Sequence, residues 1–447
     1  MSRYGQNIAA ISTAPGTGGV AVIRISGESP LAVAEKMFRP IGKTAVKDFE
    51  PYRMYPGEID GGDFTDFGMC VFFRGPKSFT GEDVVEFHCH GGVAITRGVL
   101  QRALSLGARM ATNGEFTKRA FLNGKMSLSS CEGLIDMINS ESVGGVRAGY
   151  YLYREKLNDA VREMQAKLTY VLAFVNADID YPDEGVGEDH SLEIRQALAE
   201  VISSIDGLLS RYGKGRSIKC GVRVALLGKP NTGKSSVLNR LLDYDKAIVS
   251  SVAGTTRDLV EGEIEIDGVR YLLTDTAGIR ESGDELESSG ILRSVRVMKE
   301  SDVCVVVLDG SSPLGEDDYR VLRETEDSVR LIVVNKSDLG VRTSVVGDVT
   351  VSARTGEGFD EFRTLLAEKA FGGKIDYNAD FLTEERHREA LVRAKAAAED
   401  ALNGLSATPD LVTIDIKEAW EALGEISGES ANEKIIDEIF SKFCVGK

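Results

Sequence analysis

Val222-Arg223-Val224-Ala225-Leu226-Leu227-Gly228-Lys229-Pro230-Asn231-Thr232-Gly233-Lys234-Ser235 is the stretch on which the reading of this chain turns. Its apolar first half has the composition of a buried strand, and Ser236 to Leu242 reads as the first turns of a helix. Between them, the glycines of a GxxxxGKS loop let the backbone turn tightly, so that successive N–H groups converge on phosphate oxygens. The helix start adds its partial positive charge, Lys234 supplies a full charge for the outer phosphates, and the Ser235 hydroxyl is a ligand for Mg²⁺. A simple helix cap after a strand would also accommodate these residues, so the motifs that follow must decide.

Four of them come in order. Gly254-Thr255-Thr256-Arg257-Asp258 lies where a loop would bring a threonine hydroxyl onto the metal. Asp275-Thr276-Ala277-Gly278 follows the apolar strand Tyr271 to Thr274, placing a carboxylate near the Mg²⁺ shell and the Gly278 N–H near a γ-phosphate. In Asn335-Lys336-Ser337-Asp338 the last carboxylate accepts from N1 and N2 of guanine, a donor pair adenine lacks; leaving such a carboxylate unpaired is costly, so it discriminates. Ser352-Ala353-Arg354 lies where backbone would meet the guanine O6. Each motif is weak alone, and together they point to GTP. After Gly278 the chain has Ile279 where Ras-type enzymes place a water-orienting Gln. Another group must then assist hydrolysis, with Glu281, Asp284, Glu285 and Glu287 as candidates, and charge stabilisation falls to an arginine (Arg257, Arg280 or Arg293) or a bound cation.

Length and composition frame the rest. The chain's 447 residues allow several domains, and 42 % hydrophobic with 28 % charged residues describes ordinary cores. No run approaches a membrane span, and Met1 to Asn7 lacks a leader, which places the protein in the cytoplasm with no membrane partner. The six cysteines are scattered without a CxxC pair, as reduced thiols are. A net charge of −17 argues against a general nucleic-acid coat but leaves room for a local basic patch.

The expected architecture is α/β and multidomain. Residues 1–120 form an α+β unit with strands at Ile8 to Thr13, Val20 to Ser26, Met69 to Arg74 and Val84 to His90, then a helix from Val93 to Leu106. The period of two sets Arg24 opposite Ile23 and Ile25, and puts Glu86, His88 and His90 on one side of their strand. His88 and His90 could chelate zinc only with scattered partners, so they read first as polar residues on an open sheet face, with a ligand pocket there as the intermediate reading and zinc last. A short helix spans Gly114 to Lys125. Residues 121–212 and 376–447 read as one helical domain, with Ser191 as an N-cap, the linker Gly213 to Arg216 as a boundary, and the stripe Ile435, Ile436, Ile439, Phe440 and Phe443 seeking a partner. Residues 217–372 alternate strand and helix as a doubly wound domain inserted between the two helical halves.

Ser78 to Gly92 (SFTGEDVVEFHCHGG), Gly114 to Lys125 (GEFTKRAFLNGK), Ile179 to Glu184 (IDYPDE), the AGTTRD loop and the ending FCVGK together resemble the MnmE (TrmE) family of tRNA modification GTPases, from Ile8 to Lys447. The resemblance implies an N-terminal dimerisation domain of tetrahydrofolate-binding type, a discontinuous helical domain and an inserted P-loop GTPase domain. It implies a homodimer that works with the flavoprotein MnmG (GidA) in a heterotetramer. The product is an aminomethyl or carboxymethylaminomethyl group at C5 of the wobble uridine of certain tRNAs, and the one-carbon unit comes from 5-formyltetrahydrofolate or a related folate.

On the match, Arg24, Glu86, Lys125 and Lys447 bind the folate. Asn231, Thr232, Gly233, Lys234, Ser235, Ser236, Ser250, Ser251, Val252, Ala253, Gly254, Thr255, Thr256, Asp275, Thr276, Ala277, Gly278, Asn335, Lys336, Asp338, Ser352, Ala353 and Arg354 bind GTP. Ser235 and Thr256 hold Mg²⁺, while Asn231, Ser250, Val252 and Thr255 hold K⁺ in place of an arginine finger when two GTPase domains meet. Glu287 orients the water through a second water. The chain departs from the family pattern at Ser250, often Thr, and at Leu128-Ser129-Ser130-Cys131, which replaces an acidic and Gln-Ala-Glu stretch. Cys444 has the ordinary reading of a small residue packing at a helix end. On the family match it is instead the thiol required for modification, on a mobile tail. A ribosome-assembly GTPase of the Era or Der type is a rival reading, but no GxxG clamp in basic surroundings follows the GTPase domain. A folate-sensing switch without chemistry of its own is another.

Overall fold

The structure, a computed structural model, describes residues 5–180, 190–245, 262–275, 297–343, 346–373, 381–405 and 409–447. The chain divides into two compact units, one of Met1–Ile135, Leu152–Ser203 and Ala390–Lys447, the other of Asp136–Tyr151 and Ser204–Glu389.

In the first unit a seven-stranded sheet runs in the order β3-β4-β5-β6-β2-β1-β7. Its strands are β1 (Ile8–Ile11), β2 (Gly18–Gly27), β3 (Phe38–Pro40), β4 (Met54–Asp60), β5 (Thr65–Phe73), β6 (Asp83–Gly91) and β7 (Arg109–Met110). All pairs are antiparallel except β1 with β7. Alternation decides the faces: Ile23, Ile25, Val85 and Phe87 are fully buried, while Arg24 stands directly across from Glu86 on the other side. The helix Val93–Ser105 covers the buried face, contributing Val99 and Ala103 to its core.

Several local expectations change. Gly18 and Gly19 belong to β2 rather than to the preceding turn, absorbed by an irregularity between Gly18 and Ala21 in the pairing with β6. β4 was hidden by Pro56 and Gly57, yet Tyr55 and Ile59 turn inward while Met54, Pro56 and Glu58 turn out, the period of a half-buried strand. The first hydrogen bond of the helix Ser191–Leu209 runs from Ile194 N–H to the His190 carbonyl, so Ser191 lies inside the first turn instead of capping it.

The helices on either side of the chain's central region pack together in this unit. Lys156–Asp180 lies along Pro409–Ser427, where Gln165 Nε2 donates to the Trp420 carbonyl at 3.2 Å. The last helix, Glu433–Ser441, starts with Asn432 Oδ1 accepting from Ile435 N–H. Its apolar stripe finds Leu128, Cys131, Phe121 and Met126. Phe440 and Phe443 are each 2 % exposed, worth roughly 2–3 kcal/mol apiece in burial.

The second unit holds a six-stranded sheet in the order β13-β12-β11-β8-β10-β9. These are β8 (Val222–Leu227), β9 (Gly262–Ile266), β10 (Val269–Asp275), β11 (Val303–Asp309), β12 (Arg330–Asn335) and β13 (Val349–Thr350). Every pair is parallel except β9 with β10. Both faces are covered, as the continuous apolar strands require: Phe359 and Phe362 of the helix Phe359–Phe371 join one core, while Val321 packs with Ala225 and Cys304 on the other side. Gly213 to Arg216, expected as a linker, lies inside the helix Tyr212–Cys220. Packing overrides propensity there, because Gly215 is buried and a side chain on it would strike the Leu382 carbonyl.

Candidate functional site

Those residues expected to bind nucleotide that are described gather where a doubly wound sheet places ligands, at and beyond the carboxyl ends of its strands. The loop after β8 turns at Gly228, φ 147°, whose α-carbon is pressed against the Val307 carbonyl so that a β-carbon would not fit. Asn231 holds φ 66°, a left-handed conformation Asn tolerates better than most residues, and its side chain is exposed at the tip. Gly233 is also left-handed at φ 91°. The helix Lys234–Asp245 begins here, and its first turn turns orphan N–H groups toward the loop.

Inside this cradle Lys234 is buried, with Nζ donating to the Gly228 and Lys229 carbonyls at 2.9 and 3.0 Å. Ser235 Oγ donates to Asp275 Oδ2 at 2.8 Å, and Asp275 is 2 % exposed. This hydroxyl–carboxylate pair is a hard oxygen donor set of the type Mg²⁺ takes. Ser236 follows on the exposed side of the helix.

The base-recognition loops are tied to the cradle by Asn335. Its Nδ2 donates to the Thr232 carbonyl at 2.9 Å, and its Oδ1 accepts from Ala353 N–H at 3.1 Å. Lys336, left-handed at φ 69°, donates to the Asn231 carbonyl and pairs with Asp309 at 2.6 Å. Asp338 Oδ1 accepts from Ser352 Oγ at 2.8 Å, which fixes the carboxylate expected to read guanine, while Arg354 stands 3.7 Å from it and is 81 % exposed. Arg240, on the cradle's helix, donates to the Ala353 and Arg354 carbonyls. The bracing residues Arg240, Asp309 and Asp318 were not anticipated from sequence; only the position of Asp309 at a strand end gave a hint. Ser250, Ser251, Val252, Ala253, Gly254, Thr255, Thr256, Thr276, Ala277, Gly278 and Glu287 lie outside the described residues.

A second set of residues meets on the open face of the first unit. Arg24 Nε donates to Glu86 Oε1 at 2.7 Å, and the guanidinium lies over the rings of Phe79 and Phe116 at 5.4 and 5.7 Å. Burial raises the Glu86 carboxyl, but the His88 hydrogen bond and the Arg24 charge outweigh it and hold it below its ordinary value. Lys125 donates to the Pro76 carbonyl at 2.8 Å, so it reaches the same β5–β6 connection that carries Phe79. His88 contacts Glu86 and His90 pairs with Asp66; among the described residues no cluster of three or more metal-type ligands forms.

The C-terminal residues are docked, contrary to the expectation of a mobile tail. Val445 bridges to Asn113, the Cys444 carbonyl accepts from Gly114 N–H, and the Gly446 carbonyl accepts from Ser12 Oγ at 3.1 Å. Burial of Phe443 just before the tail is the reason it is held. Lys447 N–H turns back to the Cys444 carbonyl. Cys444 is exposed and lines a cleft of about 830 Å³ with Pro15, Ala21, Leu100 and Met110. The cleft is also bordered by Val20 of β2 and by Val93 and Thr96 of the helix that covers the sheet.

Comparison with known proteins gives the family. Residues 7–125 match the family model described as GTP-binding protein TrmE N-terminus, and residues 128–444 match the MnmE helical domain. The chain is 38% identical over 464 residues to the tRNA modification GTPase MnmE of Heliobacterium modesticaldum, covering 99% of this chain and 100% of that one. It is 38% identical to the protein of that name from Geobacter metallireducens over 98% of this chain and 99% of that one, and 37% identical to that of Natranaerobius thermophilus with the same coverage. With a GxxxxGKS loop, an Asn335-Lys336-Ser337-Asp338 motif and relatives matched from end to end, the chain belongs to the MnmE (TrmE) family of tRNA modification GTPases.

Proposed function

We propose that this chain is the GTP-hydrolysing component of a tRNA wobble-uridine modification system. It acts as a homodimer with a flavoprotein of the MnmG type in a heterotetramer, and installs an aminomethyl or carboxymethylaminomethyl group at C5 of the uridine. The observation that carries this reading is the presence in one chain of two separate sites: the Ser235–Asp275 and Asp338–Ser352 nucleotide site, and the Arg24–Glu86 pair over aromatic rings. A folate offers a glutamyl carboxylate and a flat ring system. A cation stacked on aromatic faces, with lysines at 125 and 447, suits both features.

In the nucleotide site Ser235 would hold Mg²⁺ with Asp275 beside it, and Thr256 would complete the set. Asn231, exposed at the loop tip, would hold K⁺ with Ser250, Val252 and Thr255, the cation supplying the charge that an arginine supplies in other GTPases. Glu287 would orient the attacking water, and Cys444 would serve the modification step. In this scheme the chain's own groups bind and aim GTP: Lys234 at the outer phosphates, Asp338 at the base.

The test is nucleoside analysis of tRNA from cells with and without the gene, and in reconstitution with the flavoprotein. Unmodified wobble uridine in both depleted samples is the expected outcome, and an unchanged digest overturns the reading. Glu287→Ala is expected to bind GTP normally and lose turnover, and GTPase rates should be higher in potassium than in sodium. Equal rates in the two salts would remove the cation site.

A further inference from the structure

The phosphate loop contains two lysines, and they face in different directions. Lys234 turns into the cradle, whereas Lys229 turns out of it, its Nζ 2.6 Å from Asp318 Oδ2. Asp318 lies in the third residue position of the helix Glu316–Glu324, and its side chain is 0 % exposed. The same Oδ2 accepts from Gly315 N–H at 2.9 Å, and Oδ1 is buried without a hydrogen-bond partner among the described residues. A carboxylate so buried depends on its cation, since little else offsets the loss of water.

What the pair holds is the Lys229 backbone. The Lys229 carbonyl accepts from Lys234 Nζ at 3.0 Å and from Thr232 Oγ1 at 3.1 Å, so it is one of two carbonyls that fix the Lys234 ammonium. The other, Gly228, is pressed against β11. One side of the loop is therefore held by strand contact, and the other by a buried charge pair to a helix 89 residues away in sequence.

We propose that Asp318, acting through Lys229, is a positioning residue for GTP turnover: it fixes the carbonyl against which Lys234 is aimed, and so sets the loop's grip on the outer phosphates. The cap on the helix does not account for the carboxylate's charge, because an amide oxygen at 318 would accept from Gly315 equally well. Among the described residues, the cation that the charge meets is Lys229.

The experiment measures binding of GTP and of guanosine monophosphate, which lacks the outer phosphates, to the full-length chain under conditions where circular dichroism shows it folded. Asp318→Asn and Lys229→Met are each expected to weaken GTP binding roughly tenfold. Guanosine monophosphate binding should stay within about twofold of the unaltered chain in both. The double variant should be no weaker than either single one beyond about twofold, because both remove the same interaction. Lys229→Arg keeps the pair and should restore GTP binding to within about threefold. Wild-type GTP affinity in Asp318→Asn, equal loss for both nucleotides, or additive losses in the double variant each overturn the proposal. Should Asp318→Asn fail to fold, Lys229→Met and Lys229→Arg decide alone: an Arg variant as weak as the Met variant overturns it.

Discussion

The two sites of this protein are built in opposite ways. In the mostly parallel sheet the groups expected to bind nucleotide sit at or just beyond the carboxyl ends of strands, so Ser235, Asp275, Asp338 and Ser352 converge because the strands run alongside one another. In the antiparallel sheet Arg24 and Glu86 meet only because β2 and β6 pair in one register, 62 residues apart, and the C-terminal tail reaches β1 only because Phe440 and Phe443 are buried more than 300 residues further on. The first site depends on where neighbouring strands end, and the second on strand register and on packing of the chain's two ends. Substitutions should therefore damage them selectively.

The largest effect is expected from Phe443→Ala, which removes a nearly fully buried ring and should cost about 3–5 kcal/mol. A lower melting temperature for the first unit, with nucleotide affinity retained, would sharpen the contrast; loss of GTP binding as well would break it. Acid should act on the same unit through Glu115. Burial raises its carboxyl, but hydrogen bonds from Arg109, Thr112 N–H and Arg119 pull it from 4.5 down to about 2. Because the folded value is depressed, the stabilisation is complete above the unfolded value and drains away as pH falls through 4.5 toward 2. The full contribution is roughly 3 kcal/mol at most. Unfolding in acid monitored for the native chain and for Glu115→Gln should show this pH dependence only in the former; identical pH profiles would remove Glu115 as the cause.

At the nucleotide site Asp338→Asn should weaken GTP binding about a hundredfold, since the guanine donors lose their carboxylate. The melting temperature of the first unit should not move. The smallest effect is expected from Arg354→Ala: its ion pair with Asp338 is long and its side chain 81 % exposed, so GTP affinity should change by less than about twofold. A larger loss would mean that the base loop depends on its side chains, whereas the structure has it held by Arg240 and Asn335 through its backbone.

Much of the site was legible in the sequence because strand, turn and helix signals are local. Lys234, Ser235, Asp275 and Asp338 could be named from the spacing of their motifs after apolar strands. Arg24 and Glu86 were placed on the open side of their strands by the period of two. Beyond Asp309's place at a strand end the bracing groups were not legible: Asp318 looks like any charged residue until the helix after β11 is laid beside the phosphate loop, and Arg240 until the backbone after β13 is laid beside the cradle's helix. Gly213 to Arg216 misled for a similar reason, since glycine propensity gave a linker where contact with Leu382 makes a helix.

By itself, then, the sequence determined the ligand, the order of the GTP motifs and the character of each layer, because those depend on residue type and on neighbours within a few positions. The tertiary structure alone decided that Lys229 faces away from the cradle, that Cys444 lines a cleft with Pro15 and Leu100, and that the last residues are pinned at Ser12 and Asn113. Those facts depend on which distant surfaces bury one another, and burial is a property of the folded chain rather than of any stretch within it.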